Sequence, residues 1–279
     1  VNSMNFSFIQ MADPQFGMFS SISKLSKSEV IERKKRGINV TYSDKELEGF
    51  EKETELFTRA IEEANEFNPT FVVVCGDMVH DSESKEQLEE LRRVSSLLDD
   101  DIKLYWVPGN HDVGDKPTKA LLEKYRERFG EYNYSFREEN CYCIVLNSAI
   151  CYDPELVPDE WNNLISFLER ELEIASRSNI THKIIFMHHP LYLNAPNEDD
   201  NYFVIPLRRR SRILDLLAEH EVTAVCTGHL HKNNYKKFGT TELISTGSVG
   251  YPLGEDPSGI RIIELTDTKI SHKYLSLES

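Results

Sequence analysis

Five short apolar runs punctuate the chain, and each stops at a loop rich in Asp, Asn, His and Gly. Asn5–Met11 carries alternating Phe6 and Phe8 and breaks at Asp13-Pro14. Phe71–Cys75 (FVVVC) is apolar at every position, the pattern of a strand buried on both faces, and breaks at Gly76-Asp77. Ile102–Val107 stops at Pro108-Gly109, Lys183–Met187 at His188, and Val222–Cys226 at Thr227-Gly228. Between them, Ser43–Asn65, Ser84–Leu98, Thr118–Phe129, Asp159–Ser176 and Leu207–His220 have helical character. The first shows it through Leu47, Phe50, Leu56, Phe57, Ala60, Ile61 and Ala64. Asn140–Asn147, Glu242–Thr246, Ile260–Leu265 and Ile270–Leu275 predict further strands, more antiparallel in character. Strands feeding helices, with a hairpin-like C-terminus, predict an α/β chain of two packed sheets flanked by helices. No internal repeat or Pro/Gly/Ser linker interrupts it, so a single domain is expected over residues 1–279.

The stretch from Phe16 to about Asp44 breaks this rhythm. It holds the basic run Arg33-Lys34-Lys35-Arg36 and few apolar residues after Val30. A surface insertion is expected at about 17–44. It is either a solvated excursion or, because it leaves directly from the first acidic loop, a lid that contacts substrate.

Composition narrows the function. Hydrophobic residues make up 39% of the 279, enough for a sizeable core. Thirty-two basic against 47 acidic residues give −15. That balance argues against non-specific nucleic-acid binding and against docking on an anionic membrane, both of which need a basic surface. A phosphorylated substrate stays open, because bound cations reverse the local charge. The five cysteines form no regular framework, which predicts reduced thiols in a reducing compartment. Cys75 and Cys226 end apolar runs, and Cys141 and Cys143 lack the second pair a zinc site needs. No apolar run approaches the roughly 18–20 residues of a membrane span. Val1-Asn2-Ser3-Met4 has no basic n-region ahead of an apolar segment, so a cytoplasmic chain is expected.

In sheets with parallel strands, ligands gather at the carboxyl ends of the strands. Here those ends hold Asp13 and Gln15, then Asp77, then Asn110, His111 and Asp112, then His188, then His229 and His231. Hard oxygen and imidazole donors without a thiolate suit Mn, Fe, Zn or Mg. The glycines that open Gly76-Asp77, Gly109-Asn110-His111-Asp112 and Gly228-His229-Leu230-His231 allow the sharp turns that aim these side chains.

In their order, D-x-Q, GD, GNHD, H and GHLH resemble the pattern of calcineurin-like metallophosphoesterases, with Gln15 where the general pattern has histidine. Ala12–Gly17 (ADPQFG), Gly76–His80 (GDMVH), Gly109–Gly114 (GNHDVG) and the Leu253–Pro257 tail are similar to an animal subgroup described as serine/threonine phosphatases. The similarity runs from the first strand to the end and is weakest across Ser20–Lys52.

The resemblance implies a four-layer α/β/β/α sandwich and a dinuclear, metal-dependent phosphoesterase. Carried over block by block, Asp77 is the carboxylate that bridges both metals. Asp13, Gln15 and His231 complete one site; Asn110, His188 and His229 complete the other. His111, paired with Asp112, is the proton donor to the leaving oxygen or a stabiliser of phosphoryl charge. A metal-bound hydroxide attacks phosphorus between ions roughly 3.5–4 Å apart. The neutral amide oxygen of Gln15 is a harder, weaker ligand than imidazole and favours Mn, Fe or Mg over Zn, whether it ligates directly or through water. The implied reaction is phosphomonoester hydrolysis on a phosphoprotein. A phosphodiesterase of cyclic nucleotides or other small diesters is one alternative, and a non-catalytic metal-binding scaffold is another.

The remaining polar residues read more plainly. His189 is expected to form a wall or core contact, and His80 to support the site or start a helix. His182, His220 and His272 are expected at the surface. Arg208-Arg209-Arg210-Ser211-Arg212 opens a helix and reads as a solvated or salt-bridged face. Tyr251 either lines the pocket mouth or packs.

Overall fold

Each of the five apolar runs becomes a strand. In the computed structural model, which describes residues 5–278, the chain begins with β1 (Phe6–Met11), α1 (Met18–Ser23), α2 (Lys27–Lys35), α3 (Glu51–Phe67), β2 (Phe71–Cys75) and α4 (Lys85–Ser95). Next come β3 (Lys103–Val107), α5 (Asn110–Val113), α6 (Lys119–Phe129), β4 (Tyr134–Glu138), β5 (Cys141–Val145) and α7 (Ser148–Tyr152). The chain then forms α8 (Pro158–Arg177), β6 (His182–Phe186), α9 (Leu207–Glu219), β7 (Ala224–Thr227), β8 (Asn234–Phe238), β9 (Thr241–Ser245), β10 (Gly259–Leu265) and β11 (Ile270–Ser276). Val1-Asn2-Ser3-Met4, on which the absence of a leader was read, lies outside the described residues.

The strands form two sheets. In the first, β11-β10-β1-β2-β3, the strands β1, β2 and β3 run parallel and β10 and β11 form an antiparallel hairpin beside them. In the second, β4-β5-β6-β7-β9-β8, the four central strands are parallel and each edge strand is antiparallel. The antiparallel character expected for the later strands therefore holds for β10 and β11, and for β5 and β9 only on the side that faces an edge strand. Strand direction is set by where a crossover returns, which a strand's own residues do not record.

Alternation along each strand builds the layers. Phe71, Val73 and Cys75 of β2 meet Cys141, Cys143 and Val145 of β5 and Ile184 and Phe186 of β6 in a core between the sheets. Phe8 stacks on Phe71 there, with centroids 4.6 Å apart. The intervening Val72, Val74, Ile144 and Ile185 share a second cluster with Phe57 and Ile61 of α3 and Leu164 and Leu168 of α8. Two face-to-face sheets with helices outside are the architecture that the resemblance implied. All five cysteines are free and buried. Burial pushes the Cys75, Cys143 and Cys226 thiols up and the Cys151 thiol to about 12, which makes them poor nucleophiles. Among the described residues, no helix is long and apolar enough to cross a membrane.

Four local readings are corrected. The α3 helix begins at Glu51, not Ser43. Gly49 has φ +66°, and Ser23 and Ser20 hydroxyls bind the Leu47 amide and carbonyl at 2.8 Å each, which pins that stretch as a loop. The 17–44 stretch is largely helical, and Met18, Ile22, Val30 and Val40 form a small core with Leu253. Ser26 and Glu29 start α2 as a capping box, a signal present in the sequence.

In the arginine run, Arg208 and Arg212 are exposed, and Arg212 pairs with Glu169, as a solvated or salt-bridged face would have it; Arg209 and Arg210 are not. Arg210 is fully buried and donates to the carbonyls of Ile205 (3.0 Å), Pro196 (2.9 Å) and Glu198 (2.9 Å). Arg209 donates to the carbonyls of Cys151 and Tyr152. A guanidinium with five donors can satisfy loop carbonyls that no helix or sheet would reach. His182 is buried, with Nε2 against the Thr266 carbonyl at 2.6 Å.

Candidate metal centre

The carboxyl ends of β1, β2, β3, β6 and β7 open on one rim, and the loops there are stitched together. Asp13 N donates to Gly76 O at 3.0 Å, Gln15 N to Asp77 O at 2.9 Å, and Gly228 N to His188 O at 3.0 Å. Asp13, Gln15, Asp77, His229 and His231 all have positive φ, between 39° and 71°. For residues with a Cβ this conformation costs on the order of 1–2 kcal/mol each, and such strain gathers where a site over-determines the backbone. Two glycines leave the room. A Cβ on Gly76 would strike the His188 ring, and one on Gly109 would strike the Asp77 carboxylate.

The predicted donors converge in two groups that share Asp77. Asp77, His188 and His229 offer atoms within 4.8 Å of one another, and so do Asp13, Asp77 and His231. His188 Nε2 lies 3.2 Å from Asp77 Oδ2, 3.0 Å from Asn110 Oδ1 and 3.2 Å from His229 Nδ1. His231 Nε2 lies 3.2 Å from Asp13 Oδ1.

Backbone carbonyls fix which ring nitrogen faces the centre. His188 Nδ1 donates to Cys75 O at 2.7 Å, His231 Nδ1 to Tyr251 O at 2.6 Å, and His229 Nε2 to Tyr202 O at 3.2 Å. In the neutral tautomers that follow, every facing nitrogen presents a lone pair towards other lone pairs and carboxylates. Asp13 Oδ2 accepts His229 N at 3.0 Å, but Asp13 Oδ1 and Gln15 Oε1 are buried without a hydrogen-bond donor. Such a set needs positive charge between its members. Without a cation, protons supply it. Burial acts to lower His188, but Asp77 and Asp13 outweigh it and raise the ring to about 10. Burial acts to raise Asp77, but His188, His111 and His229 hold its carboxyl well below the usual range. Burial, aided by His188, lowers His229 to about 3.

Asn110 is oriented by a residue that the motif reading passed over. Its Nδ2 donates to Asp115 Oδ1 at 2.9 Å, which turns Oδ1 towards His188. His111 N donates to Asp77 Oδ1 at 2.8 Å, and its Nδ1 donates to His80 O at 2.7 Å. The expected His111–Asp112 pair does not form. The Asp112 carboxylate instead accepts the amides of Gly109 (2.8 Å), Asp77 (2.8 Å) and Met78 (3.0 Å), because the short α5 turn points it back at its own cap. Three amides in a buried pocket offer more than one imidazole, and Asp112 serves as a clamp between loops.

His80 supports the site, as expected. Its Nδ1 lies 3.0 Å from Gln15 Nε2, and its ring stacks on His111 with centroids 4.8 Å apart. His189 is a wall. Ser148 Oγ accepts the amides of His188 and His189 and meets His189 Nδ1 at 2.7 Å, while Tyr152 stacks on the ring at 5.1 Å. Tyr251 contributes its carbonyl to the site, and its hydroxyl accepts the Thr41 amide at 3.1 Å. Ser148 and the Cys75, Tyr202 and Tyr251 carbonyls were not anticipated.

Two face-to-face sheets whose parallel strands end in these donor loops define a metallophosphoesterase, and the chain belongs to the calcineurin-like phosphoesterase family, which matches residues 8–233. It is 33% identical over 279 residues to a cattle (Bos taurus) protein named Serine/threonine-protein phosphatase CPPED1, covering 98% of this chain and 84% of that one. A solved dimetal phosphatase from Danio rerio superposes with a TM-score of 0.64 at 14% identity, over 96% of this chain and 98% of that one. A purple acid phosphatase from yellow lupin seeds gives 0.67 at 11% identity, over 99% of this chain and 52% of that one. At such identities the two structures speak for the fold alone.

Proposed function

We propose that this chain is a two-metal phosphomonoesterase acting on phosphoserine or phosphothreonine in proteins. The observation that carries the reading is the convergence of lone pairs in two donor groups that share Asp77. One cation would be held by Asp13, Gln15, Asp77 and His231, the other by Asp77, Asn110, His188 and His229. The orphaned Asp13 Oδ1 and Gln15 Oε1 fit the first group and favour direct ligation by Gln15. Hard oxygen donors there suit Mn, Fe or Mg. When bound, such a pair supplies Lewis acidity towards phosphoryl oxygens and lowers the pKa of a ligated water to about 7.

The chain's own contribution is to hold and move protons. Cys75, Tyr202 and Tyr251 carbonyls keep the three histidines in ligating tautomers. His111 has its Nδ1–H committed to the His80 carbonyl, so a proton on Nε2 makes the ring an imidazolium. In that form it can donate from Nε2 to a leaving alkoxide and oppose phosphoryl charge. Its backbone bond to Asp77 and its stacking on His80 hold that nitrogen in place. No thiol competes as a nucleophile, since all five are buried. The protein substrate is inferred from the name of the cattle relative.

A panel of p-nitrophenyl phosphate, bis-p-nitrophenyl phosphate and a phosphothreonine peptide tests the reading on protein loaded with Mn, Fe, Mg or Zn. The monoester and the peptide are expected to turn over. Preference for the diester would install a phosphodiesterase instead, and no turnover with two bound ions would leave a scaffold.

A further inference from the structure

The basic run Arg33-Lys34-Lys35-Arg36 takes no part in the hydrolysis proposed above. It closes α2, where cations suit the carboxyl end of a helix dipole, and the bland account stops there. The dipole does not explain where the two arginines lie. The Arg36 guanidinium is 5.8 Å from the Tyr202 ring centroid, and that ring is 5.1 Å from the His229 ring. The Gly37 turn abuts Phe203, itself 5.7 Å from His229. Arg33 lies one turn earlier on the same helix, its carbonyl accepting the Arg36 amide, and so faces the same side. The end of α2 thus stands beside the aromatic wall of the His229 side of the centre. Among the described residues neither arginine forms a salt bridge, whereas their neighbour Lys35 pairs with Glu32 at 2.6 Å. In a chain with 47 acidic residues against 32 basic, two guanidinium groups without a salt bridge at the helix end beside the site mark a place built for an anion that the protein does not itself supply.

We propose that Arg33 and Arg36 select phosphoprotein segments bearing an acidic side chain beside the phosphorylated residue, and that they read this carboxylate rather than the scissile phosphate. The inference rests on the phosphoprotein reading above. An extended peptide advances about 3.3–3.6 Å per residue, so a carboxylate one or two positions from the phosphate reaches a rim one side chain out from the donor groups. The guanidinium fork takes a carboxylate through two parallel hydrogen bonds. The Tyr202 face restrains Arg36, so less side-chain freedom is lost on binding.

The test compares kcat/KM for two phosphothreonine peptides that differ only in Asp or Asn at the flanking positions. Metal-loaded native protein, Arg33→Ala/Arg36→Ala and Arg36→Glu are measured, with p-nitrophenyl phosphate in parallel. The native protein is expected to prefer the Asp peptide by about fivefold, chiefly through KM, less so as salt rises from about 0.05 M to about 0.5 M. The double alanine variant should bring the ratio to about one, and Arg36→Glu should reverse it in favour of the Asn peptide. Taking the ratio within each variant cancels any loss of folding or metal. Turnover of p-nitrophenyl phosphate without either peptide would overturn the phosphoprotein reading and this inference with it. Equal turnover of both peptides by the native protein, or an unchanged ratio in Arg36→Glu, would overturn this inference alone.

Discussion

The layer between the sheets and the rim at their carboxyl ends are built from the same strands, yet they follow opposite rules. In the layer, Phe8, Phe71 and Phe186 interlock with centroids 4.6 to 6.2 Å apart, and no residue of β1, β2 or β6 has positive φ. A few residues further along, Asp13, Gln15, Asp77, His229 and His231 are held in the left-handed region, and two buried oxygens lack donors. The layer is arranged to lower free energy. The rim is arranged to keep lone pairs and carboxylates close together, which only positive charge offsets. The stable layer is what lets the strained rim persist.

The contrast can be broken from either side. Asp77→Asn should cost about 10³-fold or more in turnover, as losing a central electrostatic group does, and should lower occupancy of both ions. Two retained ions with near-native turnover would remove Asp77 from the centre. His111→Ala should keep both ions and lose roughly 10²–10⁴-fold on a phosphothreonine peptide, the usual worth of a placed proton donor. The loss should be smaller on p-nitrophenyl phosphate, whose leaving group barely needs a proton. Equal losses on both would assign His111 to phosphoryl charge alone.

From the other side, Phe71→Ala should cost about 3–5 kcal/mol in denaturant unfolding while the folded fraction keeps its metal stoichiometry. Lost ions at unchanged stability would erase the distinction between layer and rim. Gln15→Ala sharpens the comparison within the rim itself. It should weaken one ion about 10–100-fold and leave the other, and Gln15→His should shift the preferred ion towards Zn. Titrations that show no change in either variant would make Gln15 a bystander.

What was legible in the sequence follows from the same physics. Strands buried on both faces must be apolar throughout, so β2 announces itself as FVVVC. The rim donors are side chains that directly follow apolar strands, so they could be named from the sequence, while their grouping came only with the family resemblance. The strands β4 and β8 were missed because they lie at sheet edges and read YSFRE and NYKKF, with polar and half-buried positions that discourage further pairing. The α2 helix was missed because its apolar content is thin, although Ser26 and Glu29 signalled its start. The carbonyls of Cys75, Tyr202 and Tyr251, which set the histidine tautomers, carry no side-chain signature at all. Arg209 and Arg210 looked solvated because a charge run reveals nothing of the loop carbonyls that bury it. The Asp112 clamp looked like a partner for His111 because neighbours in sequence need not point the same way.

Whether Asp77 joins two cations is decided most directly by anomalous diffraction from crystals grown with Mn. Two peaks are predicted, roughly 3.5–4 Å apart and both against the Asp77 carboxylate. One should also touch Asp13, Gln15 and His231, and the other Asn110, His188 and His229. A single peak, or two peaks that leave Asp77 unligated, would contradict the shared-carboxylate centre.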